Sequence, residues 1–146
     1  MAKFVLELPK DEMEKIQKIY DNSFDIFGKM TKAGAQEALN SVKANAPNSW
    51  RSSQIMNNIK LTKTYRTPSD GGINTKVIIS GYFTNKNGVK TPAPLVANIF
   101  EYGRSAKSRG GAFQKRPFFR KSFKKSNIEK AMLTEQKKVS GGIFDE

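Results

Sequence analysis

The sequence predicts an α+β fold, with a small antiparallel β-sheet packed against a long N-terminal helix, a short middle helix and a C-terminal helix. Three observations carry this. Apolar residues recur at steps of three and four from Met13 to Val42, the period of one helix face. Between Ile59 and Phe83, β-branched and aromatic residues gather in short runs separated by turn formers. Beyond them, Pro92, Gly103 and Pro117 punctuate the chain so as to leave two further helical stretches. With 146 residues and 37% apolar content the chain suits one folded domain, read as 1–139, with 140–146 as a flexible tail carrying an apolar hook.

Taken in order, Lys3 to Leu8 alternates Phe4, Leu6 and Leu8 on one side, a short strand halted by Pro9. From Asp11 the apolar positions Met13, Ile16, Tyr20, Phe24, Phe27, Met30, Ala35, Leu39 and Val42 form one helical face ending at Ala46-Pro47. A continuous helix over that span would be about 54 Å long, against a domain diameter of about 40 Å. It must break or project, and Gly28 and Gly34 are the expected breaks. A projecting helix would need a neighbour to cover its apolar face.

Asn48-Ser49-Trp50-Arg51 reads as a turn capped by the side chain of Asn48 or Ser49, with Trp50 as a packing anchor. Ile59, Leu61 and Tyr65 alternate as one strand, and Thr67 to Gly72 turns the chain into a second strand over Lys76 to Phe83. Asn87-Gly88 marks another tight turn. Leu95, Val96, Ile99 and Phe100 belong to a short helix closed by Gly103. Arg104 to Arg116, rich in Ser, Gly and Lys, reads as a mobile loop. Pro117 opens the last helix, with Phe119, Phe123, Ile128 and Met132 near one face, Phe119 and Phe123 in the core, and an end near Val139.

The formal charge of +13 is unevenly placed, since Met1 to Trp50 holds seven Lys against seven acids and nets zero. From Arg104 to Lys125 there are nine Lys or Arg and no acid, a surface suited to an anionic partner. Arg104, Lys107, Arg109, Lys115, Lys121, Lys124 and Lys125 are the candidate DNA contacts, and Phe113 is the candidate for stacking on a base. With no histidine and no cysteine, the commonest general base, the usual nucleophile pairs and most transition-metal sites are missing, so no catalytic, cofactor or metal residue is assigned. The chain shows no membrane span and no signal-like apolar run, and the lack of cysteine suits a reducing cytoplasm.

Three segments, in order, resemble the head-tail joining and tail-completion family of long-tailed bacteriophages. They are Ala44-Asn45-Ala46-Pro47 ending the long helix, Ala97-Asn98-Ile99-Phe100-Glu101-Tyr102-Gly103, and Arg116-Pro117-Phe118-Phe119-Arg120-Lys121-Ser122-Phe123. The family carries Asn-Ala-Pro, Ala-x-x-x-Glu-aromatic-Gly on a short helix, and Pro-Phe-hydrophobic-Arg opening the C-terminal helix, and the match in order and spacing covers about 80 residues. The chain departs from the family at Asn48-Ser49-Trp50-Arg51, where Thr-Gly-x-Leu is common, and at Val96, where tyrosine often stands.

The resemblance implies a structural virion protein made in the bacterial cytoplasm. It would form a ring, six-fold, in the phage neck, between a head connector or stopper protein and the tail tube protein, around a channel for DNA. Glu101, Tyr102, Gly103, Phe113, Arg116, Pro117, Phe118 and Arg120 are the candidate residues of a subunit or partner interface. Independently of the resemblance, Glu101 stands at a helix C-terminus, where the dipole disfavours an acid, so it either pairs with a cation such as Arg116 or Arg120 or is a solvated surface glutamate. Two readings compete with this structural role: a non-specific nucleic-acid-binding protein using residues 104–125, and a small histidine-free ribonuclease working with Arg, Lys, Tyr and Glu.

Overall fold

The computed structural model describes residues 9–144, so the strand read over Lys3 to Leu8 lies outside the described residues. The fold is α+β: the described residues form five α-helices and three antiparallel pairs of short strands, where one small sheet was expected. Among the described residues each strand is two or three residues long.

Helix α1 (Lys10–Asp21) and helix α2 (Ser23–Asn45) divide the long apolar stretch. The break falls at Asn22, not at Gly28 or Gly34. There both the backbone N–H and the side-chain Nδ2 of Asn22 donate to the Lys18 carbonyl, ending α1. The two glycines instead allow close approach. A Cβ on Gly34 would stand 2.8 Å from Met132 Cγ and 3.1 Å from Ile128 Cγ2, and one on Gly28 would stand 3.3 Å from Thr64 Cγ2. Helix α5 (Lys125–Phe144) packs along α2 at that point. It begins eight residues after Pro117 and continues past Val139 to Phe144, so the segment from Pro117 to Lys124 does not open it.

Helix α3 (Asn48–Arg51) is a single turn whose N-cap is Pro47, with no side-chain cap from Asn48 or Ser49. At its other end Ser53 Oγ donates to the Trp50 carbonyl. Strand β1 (Ile59–Leu61) and strand β2 (Tyr65–Arg66) are two strands where one was expected. Strand β3 (Ile73–Asn74) pairs with β2 through the Thr67–Gly72 turn, where Asp70 Oδ1 accepts from the Gly72 N–H. The run Lys76 to Phe83 also divides. Strand β4 (Val77–Ile79) pairs with β1, and strand β5 (Tyr82–Thr84) pairs with strand β6 (Lys90–Pro92) across the Asn87-Gly88 turn. Gly81, at φ +86°, makes the bend between β4 and β5.

Helix α4 (Ala93–Tyr102) starts on Pro92 and stops at Gly103, as its sequence predicts. The core gathers Leu39 and Val42 of α2, Ala46 just after it, Trp50, Ile55, Ile59, Ala93 and Ala97 of α4, and Phe118. Trp50 is the anchor the sequence suggests, edge-on to both Phe100 and Phe118 with centroids 5.0 Å away in each case. Phe119 is partly buried against this core, whereas Phe123 is 42% exposed, because the chain turns through a short 3₁₀ segment (Arg120–Ser122) before α5 begins.

Candidate functional site

The three segments that carry the family resemblance meet at one junction. Along α4, Ala93, Ala97 and Glu101 are four residues apart and face inward together. Glu101 is a carboxylate 8% exposed in the core wall. Its Oε2 accepts the backbone N–H groups of Phe118 and Phe119, each at 2.9 Å, and its Oε1 accepts that of Arg120 at 3.2 Å. The residues after Pro117 lack helical hydrogen bonds, and Glu101 supplies acceptors for their amides. Burial pushes the Glu101 carboxyl up. The amide bonds from Phe119, Phe118 and Arg120, with the nearby Arg120 charge, together outweigh burial and hold it below its ordinary 4.5.

The first segment joins the third through Asn45, whose Nδ2 donates to the buried Ser122 Oγ at 3.0 Å. Ser122 Oγ in turn has one proton to give, donated to the Phe118 carbonyl, the shorter contact, with the Ser41 carbonyl at 3.2 Å as its other possible acceptor. Sequence reasoning missed Ser122 and the role of Asn45. The only available signal was a small polar residue among aromatics, too common a pattern to single out.

Several assigned roles change. Glu101 is paired with backbone amides, not with Arg116 or Arg120, and with Phe118 (2% exposed) it belongs to the interior and not to an outward interface. Arg120 lies instead over the Tyr102 ring, 5.2 Å from its centroid. The Arg104–Arg116 segment is closed on the body of the molecule. Arg104 and Phe113 exchange two backbone hydrogen bonds of 2.9 Å, and the Arg104 guanidinium donates to the carbonyls of Gly111 and Gly110 at 2.8 and 2.7 Å. Phe113 packs on Phe100 at 4.9 Å, and the Arg116 guanidinium lies 5.9 Å from its ring centroid, so it is not a free stacking platform. Gly103, at φ +80°, passes so near this loop that a Cβ would stand 2.8 Å from the Phe113 carbonyl.

What remains outward is a set of exposed cations and, near some of them, two hollows. One, of about 320 Å³, lies between α4 and Phe118–Arg120 and is lined by Pro94, Ala97, Asn98, Tyr102, Phe119 and Arg120. The other, of about 480 Å³, is more polar and lies between Asn45–Ser49 and Arg116, Pro117 and Lys121. Tyr102 and Arg120 are exposed at the first and Arg116, Pro117 and Lys121 at the second, and Lys107, Arg109, Lys115, Lys124 and Lys125 are exposed as well. Of these lysines and arginines Lys125 has a carboxylate partner among the described residues, Glu129 at 3.5 Å. The arrangement offers a fixed positive surface with a shallow apolar groove, a geometry for binding. The chain matches no family model, no curated protein and no solved structure.

Proposed function

We propose that this chain is a non-enzymatic subunit of a ring, six-fold as the resemblance implies, in the neck of a long-tailed bacteriophage. There it would complete the tail and join it to the head connector around the DNA channel. The observation that carries the reading is the junction itself: the three resembling segments are bonded to one another through Asn45–Ser122, Trp50–Phe100–Phe118 and the Glu101 clip. Segments that recur together in order have a physical reason to do so when each completes the others. A binding role also suits Glu101, whose carboxyl is held below its ordinary range, since its oxygens are occupied by three amides and have no proton to exchange with a substrate.

The test is to purify virions of the phage that encodes the chain and to average their neck. The expected result is a ring of this chain between connector and tail tube, and particles lacking it should separate into filled heads and unattached tails. Absence of the chain from mature particles would sink the proposal. A second reading, sequence-independent nucleic-acid binding by the monomer, is favoured by the lysines and arginines of the basic face that lack carboxylate partners among the described residues.

A further inference from the structure

Two long stretches of the chain contain no acidic residue, Ala38 to Ser69 and Tyr102 to Ile128. The fold brings part of the first against the second, and the more polar hollow lies where they meet. Asn45, Asn48 and Ser49 line it on one wall, and Arg116 and Lys121 on the other. The lining thus holds two cations and no carboxylate, and neither cation has a carboxylate partner among the described residues. Two like charges gathered at one hollow repel each other and gain from an anion placed between them.

The walls are held in place by the fold itself. Asn45 Nδ2 donates to Ser122 Oγ at 3.0 Å, tying the end of α2 to the residue after Lys121. The Arg116 N–H donates to the Phe100 carbonyl at 2.7 Å, and Trp50, next to Ser49, packs edge-on against Phe118, next to Pro117. A site fixed in this way loses little freedom on binding. Arg116 offers a guanidinium fork and Lys121 an ammonium, while Asn48 and Ser49 offer an amide and a hydroxyl from the opposite wall. Donors arriving from two sides suit a tetrahedral oxyanion, with acceptors all round, better than the flat edge of a carboxylate. All five of these lining residues are exposed, so the hollow is open to a long ligand as well as a small one. Lys115 and Lys124, close to the two cations along the chain, are exposed and without a carboxylate partner among the described residues, which favours a ligand whose phosphates repeat.

We propose that the hollow between Asn45–Ser49 and Arg116–Lys121 seats a backbone phosphate of a nucleic-acid strand, with Arg116 and Lys121 neutralising its charge and Asn48 and Ser49 donating to its oxygens. The seat rests on the nucleic-acid-binding reading above and goes beyond it, since general attraction needs only exposed cations and a seat needs these groups in these places.

Fluorescence anisotropy with a labelled DNA duplex at about 50 mM salt tests the seat on the full chain, and circular dichroism checks that each variant is folded. Arg116→Gln with Lys121→Gln is set against Lys107→Gln with Arg109→Gln, an equal loss of charge at exposed positions outside the hollow. The hollow pair should bind about tenfold more weakly than the comparison pair. Asn48→Asp places a carboxylate in the hollow and should weaken binding about tenfold. Asn87→Asp makes the same charge change on the exposed turn between β5 and β6 and should stay within about twofold of wild type. Equal losses in the two paired variants, or in the two aspartate variants, would overturn the seat while leaving general nucleic-acid binding intact. If the duplex does not bind at all, the seat and the nucleic-acid reading both fall, and the ring is decided by the averaged virion neck. Binding of poly-glutamate that the hollow pair weakens would then assign the hollow to an acidic protein partner.

Discussion

At the scale of single residues, the fold turns on a few groups that satisfy backbone rather than one another. Glu101 is the clearest. Replacing it with alanine leaves the amides of Phe118, Phe119 and Arg120 without their acceptor, and each buried orphan is costly. Glu101→Ala should lower stability by about 2 to 4 kcal/mol and Glu101→Gln by about 1 to 2 kcal/mol, measured by urea unfolding at neutral pH. The pH dependence has a definite sign. The folded carboxyl titrates below its ordinary 4.5, so its contribution is complete above that value and is lost as pH falls through the depressed folded value. The gap between wild type and Glu101→Gln should narrow on acidification, and a gap constant from neutral pH to acid would rule out the charged clip. Gly103 gives a second test. Its φ of +80° and the 2.8 Å approach to the Phe113 carbonyl leave no room for a side chain, while Gly111 at φ +77° has open space around it. Gly103→Ala should cost about 3 kcal/mol or more and Gly111→Ala about 1 kcal/mol, the difference being the clash beyond the shared strain. The sequence marked Gly103 as a helix stop, which it is, and marked Glu101 as a residue needing a partner at a helix end, which it is. It could not show that the partner is backbone, because the amides that need an acceptor belong to a segment 17 to 19 residues away.

At the scale of elements, periodicity located the helices well and their ends poorly. The apolar pattern from Met13 to Val42 was correct across α1 and α2, yet the break came at Asn22, whose side chain competes for the Lys18 carbonyl, and not at a glycine. Gly28 and Gly34 are packing residues, a role sequence cannot separate from a breaking role without knowing what lies opposite. The basic loop shows the same limit. Its composition suggests mobility, but an Arg104 guanidinium turned inward and a Phe113 seated on Phe100 supply contacts that composition does not reveal. Gly34 leads to a prediction about the α2–α5 packing. Alanine would gain up to about 1 kcal/mol of helix propensity over glycine, but its Cβ would press on Met132 and Ile128. Gly34→Ala alone should therefore be neutral or destabilising. In a Met132→Ala background, where the pressing side chain is gone, the same change should stabilise by about 1 kcal/mol. Thermal unfolding of the four proteins closes the cycle, and additive effects would show that the two helices do not press on each other at this point.

At the scale of the whole molecule, charge segregation was fully legible in the sequence, and the structure refines which charges are free. Arg104 is committed to the carbonyls of Gly110 and Gly111, and Lys125 faces Glu129. Arg116 and Arg120 lie over the rings of Phe113 and Tyr102. Lys107, Arg109, Lys115, Lys121 and Lys124 are left exposed with no carboxylate partner among the described residues. A polyanion in contact with these five residues would lose a counterion for each phosphate neutralised. On duplex DNA the slope of log K against log salt should then be about −4 to −5, so that affinity falls by roughly 2 to 3 orders of magnitude between about 50 and 200 mM salt. No base-reading element sits among these residues, so the binding should not depend on sequence. Replacing Lys121 and Lys124 with alanine should flatten the slope by about 2, while Arg104→Ala should leave it nearly unchanged and instead loosen the Gly110–Gly111 loop. Fluorescence anisotropy with a labelled duplex across a salt series measures all three slopes. An Arg104→Ala slope reduced as much as that of the double lysine variant would mean that the guanidinium leaves its carbonyls for phosphate, and that the loop opens when the face is occupied.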